Sequence, residues 1–319
     1  MFITKSSEAY INPVLTKLLV YYKQYGFVGD KLAPIVDVGE EAENGTFFKF
    51  DGTVTGKSNL QSTLEFQRAY GAKAATVNWD LTTDTYSCIE YSAEKAIDWR
   101  EFKQWKGREF DLAAVTQRII MDLLLLSYEI RIATKFTTTS NYPSSSYYTS
   151  LSGTQCWDDH VNSDPEGVIE TAREQVSLYG DEANTIAVPV NVWRTIRRHP
   201  AIRALVNDTD SSQLTEDGFP KKIFGLNAVY PGARRNTAQI GATETLARIW
   251  SDNVWVGVVS PTPSKMDISF AYTFAAQGMK TETYEDKSRK SDVVRVQHGI
   301  YDEKIVASNC GYLIQNTLT

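Results

Sequence analysis

Residues 118–136 read RIIMDLLLLSYEIRIATKF, four consecutive leucines inside a run of nineteen residues. A membrane-spanning helix needs about 20 predominantly apolar residues and cannot cheaply carry ionised groups at its centre. Asp122, Glu129 and Arg131 interrupt the run, so it is not read as a membrane span. At helical spacing Asp111, Arg118, Asp122 and Glu129 fall on one stripe, and Leu112, Val115, Ile119, Leu123, Leu126 and Ile130 on the opposite one. The spacing predicts a wide-faced amphipathic helix from about Arg108 to about Phe136, ~42 Å long at ~1.5 Å per residue. An ordinary globular helix has about 11 residues. A helix this long suggests a strut in a flat or extended body. On this reading Leu123 and Leu126 are buried, Glu129 faces solvent or a neighbour, and Asp122 is exposed or paired.

The rest of the chain is read against that strut. Its 319 residues fit one large domain or two or three small ones. A hydrophobic fraction of 42%, with 12% aromatic, is enough for a sizeable core and argues against global disorder. The formal charge of −6 disfavours a dedicated nucleic-acid binder, which would draw its affinity from clustered Lys and Arg. A chain that must tolerate DNA without sticking to it fits this balance. Cys88, Cys156 and Cys310 are odd in number, far apart and form no CxxC pair, so neither a disulfide framework nor a structural zinc site is indicated. Lys17, Lys23 and Lys31 punctuate the N-terminal stretch, which has no uninterrupted signal-peptide core. The chain is expected to remain in the cytoplasm where it is made.

Residues 1 to about 45 read as a short helix, roughly Asn12 to Tyr25, followed by an extended acidic segment, LAPIVDVGEEAENG. From Thr46 the pattern turns to strand and turn: TFFKF, the turn-rich DGTVTGKSN, TVNWDL and TYSCIEYSAEKAID. A protruding two-stranded feature follows, and because an isolated hairpin is marginal in water, another chain or domain must cover it. After the long helix comes a loop rich in Ser, Thr and Tyr. Asp164-Pro165-Glu166 then starts a helix that ends at Gly180, with Asp as N-cap and Pro in the first turn. NTIAVP and VNVWRTIRRHPAIRALV, the latter broken at Pro200, mark a small α/β region that FGLNAVYPG and NVWVGVVSP close. From Met266 the chain is almost all strand: ISFAYTF, KTETYE, DVVRVQHG and KIVASNCGYLIQN.

These ordered signals resemble the major capsid proteins of tailed bacteriophages, with the Hong Kong 97-type fold. DTYSCIEYSAEKAIDWRE resembles that family's strand leaving its extended loop, and DLAAVTQRIIMDLLLLSYEIRIA its spine helix. WDDHVNSDPEGVIETA and YGDEANTIAVPVNVWRTIRRHPAI resemble the start of its axial domain, with His199 at the helix break. IWSDNVWVGVVSP followed by SFAYTF resembles the return to its peripheral domain, and GYLIQN its strand-rich end. No single motif is specific; the order and spacing are, over about residues 5 to 316.

The resemblance implies an α+β fold with an N-terminal arm at 1–45 and an extended loop, a long β-hairpin, at 46–105. The peripheral domain takes 106–160 and 265–319, with the spine helix at about 108–136, and the axial domain 161–264. It implies a structural protein that assembles with itself, as hexamers and pentamers, into an icosahedral head around double-stranded DNA. A separate scaffolding protein and the portal are the expected partners, with weak, non-specific DNA contact, a decoration protein as a further candidate and no membrane. The location implied is the virion, after assembly in the host cytoplasm. Some members link a lysine of the extended loop covalently to a neighbour; Lys57 is available, without an identifiable partner. An encapsulin-type compartment that packages enzymes is the related alternative, and a soluble α/β enzyme using about 165–260 the distant one.

No residue is assigned a catalytic, cofactor-binding or metal role. Cys156, Asp158, Asp159 and His160 are metal-ligand types, but their spacing matches no zinc pattern, and a surface loop anchored by Trp157 is the better reading. His199 has no sequence-adjacent nucleophile or acid, and His298 sits in a strand. Arg194, Arg197, Arg198 and Arg203 form the densest basic patch and Arg234 and Arg235 a second; bridges across subunits or a solvated face explain them better than DNA phosphates do. Phosphate-cradling and acyl-transfer motifs are missing from the sequence.

Overall fold

The computed structural model describes residues 10–11, 26–49, 68, 70–73, 82–105, 111–178, 182–200, 202, 219–237, 243, 245–264 and 267–319. The helix expected near Asn12 to Tyr25, the loop tip with Lys57, the cap at Gly180 and Arg203 lie outside them.

The first of two six-stranded sheets is organised by one strand, β15 (Ser291–Ile305). Along one side of β15 runs β5 (Ile89–Asp98), antiparallel. On the other side β14 (Lys280–Asp286) pairs with its first half and β13 (Ala271–Gln277) with its second. Short strands β1 (Tyr10–Ile11) and β2 (Ile35–Asp37) extend the sheet beyond β14 and β13. The changeover falls at a bulge, where the β5 ladder shifts register between Gln297 and Gly299. A Cβ at Gly299 would sit 2.7 Å from the Gln277 carbonyl oxygen, so only glycine lets the two strands approach there.

The second sheet runs β6 (Tyr148–Ser150), β16 (Gly311–Gln315), β12 (Val254–Gly257), β7 (Thr185–Ala187), β9 (Leu226–Val229) and β8 (Lys222–Ile223). The β6/β16 and β7/β9 pairs are parallel and the others antiparallel. β7 and β12 are buried at every position, Thr185 included, as strands covered on both faces are. The sheet draws strands from residues 148–150 and 311–315 as well as from 185–257, so it joins both ends of the chain's second half. Two helices pack on it. The first is α4 (Pro165–Ser177), where Asp164 accepts from the Gly167 N–H at 3.0 Å and Pro165 occupies the first turn, as DPEG predicts. The second is α5 (Val190–Ile196).

The hairpin of β3 (Asn44–Lys49) and β4 (Thr82–Ser87) is a separate two-stranded sheet. Its root is held by aromatic packing: Phe47 lies 5.1 Å and Tyr86 4.7 Å, centroid to centroid, from Phe274 of the first sheet. β5 leads into the short helix α2 (Trp99–Trp105), where continuous strand was expected.

Between the sheets lies the spine helix α3 (Leu112–Thr137), 26 residues long. Asp111 caps it, its Oδ1 accepting from the Ala113 N–H at 3.0 Å and the Ala114 N–H at 3.2 Å. The helix is turned over relative to the sequence expectation. Its buried face is Thr116, Gln117, Ile120, Met121, Tyr128, Glu129, Ile132, Ala133 and Phe136. Glu129, expected toward solvent, is 0% exposed, and Leu123, expected in the core, is 59% exposed. Leu126 is half-buried, and Asp122, half-buried too, is neither exposed nor paired among the described residues. The reason is that both stripes carry large apolar groups. The inner one adds Tyr128, Ile132 and Phe136, which fill the space between the sheets against Trp250, Trp255 and Phe270, and burying those rings outweighs burying leucines.

Candidate assembly surface on the spine helix

The inner face of α3 is fixed by polar groups. The Glu129 carboxylate accepts from Trp250 Nε1–H at 2.7 Å, and its other oxygen accepts from the Val28 and Gly29 N–H groups at 3.0 and 2.8 Å. Gly29 opens α1 (Gly29–Leu32), so the carboxylate also meets the electropositive end of that short turn. Burial pushes the Glu129 carboxyl upward in pKa and the three donors pull it back. One side chain thereby joins the spine helix, the segment before β2 and the loop before β12. Gly29 lies against this site, where a Cβ would come 2.7 Å from the Tyr128 ring.

Two residues on, Arg131 donates from Nε to Glu303 at 2.9 Å, from one terminal nitrogen to Tyr301 Oη at 2.8 Å and from the other to Ser127 Oγ at 2.8 Å. Its guanidinium lies 3.8 Å from the centre of the Tyr91 ring on β5. The clamp holds the strand leaving the extended loop against the helix. His298 shares a 2.5 Å hydrogen bond with Tyr301 Oη; burial, with Arg131 adding to it, pushes its pKa down to about 4. Tyr128 Oη and Thr273 Oγ1 are 2.7 Å apart, tying the helix to β13.

The outer face is the reverse in chemistry. Ile119 is 55% and Leu123 59% exposed, flanked by half-buried Leu112, Val115, Leu126 and Ile130. This apolar ridge follows the helix for most of its length. Asp122 stands beside it with its Oδ1 buried and without a hydrogen-bond partner among the described residues. Full burial of a leucine or isoleucine side chain contributes roughly 1.5–3 kcal/mol, so a partner laid along the ridge gains several kcal/mol.

The residues singled out in the sequence are scattered. Cys156 is buried, its Sγ–H donating to the Asn316 carbonyl at 3.5 Å. Asp159 accepts from the Val161 and Asn162 N–H groups at 3.0 and 3.1 Å, shaping the turn beneath Trp157, which is 0% exposed. Asp158 bonds the Thr319 hydroxyl. His160 meets His199, their ring centres 5.9 Å apart, a pairing of distant residues that spacing does not announce. No group of three or more His, Cys, Asp or Glu converges as metal ligands among the described residues. Arg194, Arg197, Arg198, Arg234 and Arg235 are exposed. Sequence reading missed the anchoring roles of Glu129 and Arg131; the signal was present, as charges inside an apolar run.

No family model matches the chain. It is 24% identical, over 311 residues and 95% of both chains, to the major capsid protein of Burkholderia phage BcepMu. It is 25% identical to that of Pseudomonas phage JBD67, over 242 residues, 75% of this chain and 74% of the other. A phage-related protein from Bordetella bronchiseptica RB50 has the same fold, with a TM-score of 0.72 at 23% identity, covering 97% of this chain and 98% of that one. The sequence likeness spans nearly the whole chain and the architecture agrees with it: the chain is similar throughout to phage major capsid proteins and has the Hong Kong 97-type α+β fold.

Proposed function

We propose that this structural capsid subunit associates with copies of itself as hexamers and pentamers that close an icosahedral head around double-stranded DNA. The observation that carries the reading is the apolar ridge on α3, uncovered in a single subunit. A lone soluble protein seldom leaves such a continuous patch exposed, whereas a shell subunit has a neighbour to cover it. The β3–β4 pair supports the same reading: it forms a sheet of its own, packed on the first sheet only through Phe47 and Tyr86 among the described core residues, and two strands alone are marginal without a further surface.

In the proposed division of labour residues 1–45 form the arm and 46–105 the extended loop. Residues 106–160 with 265–319 form the peripheral domain and 161–264 the axial domain, with β6 and β16 completing the axial sheet. A scaffolding protein, the portal and a decoration protein are the proposed partners, with assembly in the host cytoplasm and no catalytic role. The protein's place is the virion shell. DNA contact is weak in this account, because a net charge of −6 leaves only local basic patches such as Arg194, Arg197 and Arg198.

Electron microscopy of the purified protein tests the reading. Closed shells tens of nanometres across are expected, with DNA inside heads isolated from infected cells; small discrete oligomers would defeat it. Shells that enclose enzyme in place of DNA would favour the encapsulin-type compartment, whose shells share this fold.

A further inference from the structure

Away from the spine ridge, a cavity of about 410 Å³ opens where the hairpin root, the end of α3 and β15 meet. Lys49, Lys135 and Lys304 line it, with Asp84, Ser140 and Ser308 between them. Lys49 shares a face of β3 with buried Phe47, and Asp84, itself exposed at the rim, a face of β4 with buried Tyr86. Lys135 is held in the last turn of α3, whose carbonyl there accepts from Asn141 Nδ2 at 2.8 Å and so draws the following loop over the cavity. Lys304 has one bridge, 3.3 Å to Asp302, while Lys49 and Lys135 have no ion pair among the described residues.

Three half-buried lysines therefore line one concave space that has a single carboxylate residue among its walls. Like charges gathered at one site oppose one another unless an anion enters. The three lysines come from three different elements of one chain, and the space is the size of a small ligand. Lysines act as point charges toward phosphate groups.

We propose that this cavity binds a phosphate-class oxyanion through Lys49, Lys135 and Lys304. The occupant would tie the root of the extended loop to the spine helix and β15, so its presence stiffens the joint between them. The phosphate group belongs either to a free ion or to a nucleic-acid backbone. The inference does not depend on the manner of shell assembly.

The test is calorimetric titration of the purified full chain with inorganic phosphate and with tripolyphosphate, against chloride at matched ionic strength. A single saturable site is expected. Lys49→Met, Lys135→Met and Lys304→Met, which keep the aliphatic stem, each weaken it about tenfold, while Lys95→Met on exposed β5 leaves it unchanged. Circular dichroism identifies the folded variants, and the three lysines lie on different elements, so any folded one suffices. Competition by short duplex DNA assigns the site to a polymer backbone; lack of competition assigns it to the free ion. Absence of saturable phosphate binding by the unmodified chain, unchanged affinity in the folded Lys→Met variants, or displacement only by an acidic peptide would overturn the proposal.

Discussion

Each face of the spine helix carries residues that the other would ordinarily hold. The inner face buries Glu129, Thr116 and Gln117 and leaves Arg131 half-buried, while the outer face exposes Ile119 and Leu123. Inside, each charge has found partners: the Glu129 carboxylate has three donors and Arg131 a carboxylate, two hydroxyls and an aromatic face. Burial of a charge is tolerated on those terms. Outside, Ile119 and Leu123 remain exposed, and in the proposed reading the contrast separates residues that hold the subunit together from residues that would hold subunits to one another.

The sharpest way to break this contrast is Leu123→Asp. The subunit should unfold within about 0.5 kcal/mol of the unmodified one, as surface substitutions do, while particle yield by electron microscopy falls to near zero. Normal shells from this variant would mean the ridge is not an interface. Glu129→Ala should act in the opposite sense, costing roughly 3–5 kcal/mol by chemical denaturation because three buried donors lose their acceptor; Glu129→Gln, which keeps the shape, should cost less. A fully stable Glu129→Ala subunit would remove the inner anchor from the account.

His298 supplies a pH test of the same inner face. Its folded-state pKa lies near 4, below the ordinary 6.5, so the neutral form is the one the fold accepts. Its contribution is then fully present above about pH 6.5 and is lost as pH falls toward 4. Between pH 7 and pH 5 the unmodified subunit should lose about 2 kcal/mol more than His298→Asn does. Equal pH profiles would place His298 in water. The smallest effect is expected from Tyr128→Phe, about 1 kcal/mol, since the ring still packs and only the hydrogen bond to Thr273 is lost.

Much of the local structure was legible in the chain. Asp164-Pro165 starts a helix because a short acceptor side chain satisfies the free N–H groups of a first turn, whereas Asp111, read as a residue inside the long helix, proves to be its cap. NVWVGVVSP and GYLIQN hold strands because β-branched and aromatic residues recur beside glycine and proline, which disfavour helix. The sites were less legible. Lys49, Lys135 and Lys304 belong to a hairpin, a helix end and a long strand, and His160 and His199 to a turn and a helix end, so only folding brings them together.

By itself the sequence determined that a long helix stands within an α+β chain and that its run of leucines is not a membrane span. It did not determine which way that helix faces. Successive residues of a helix are about 100° apart, so Leu123, Leu124, Leu125 and Leu126 point to nearly every side and leave the direction of burial undefined. The tertiary structure decided it, through the aromatic space between two sheets that Tyr128, Ile132 and Phe136 fill, and through the donors that meet Glu129 only when residues 28, 29 and 250 are folded against it.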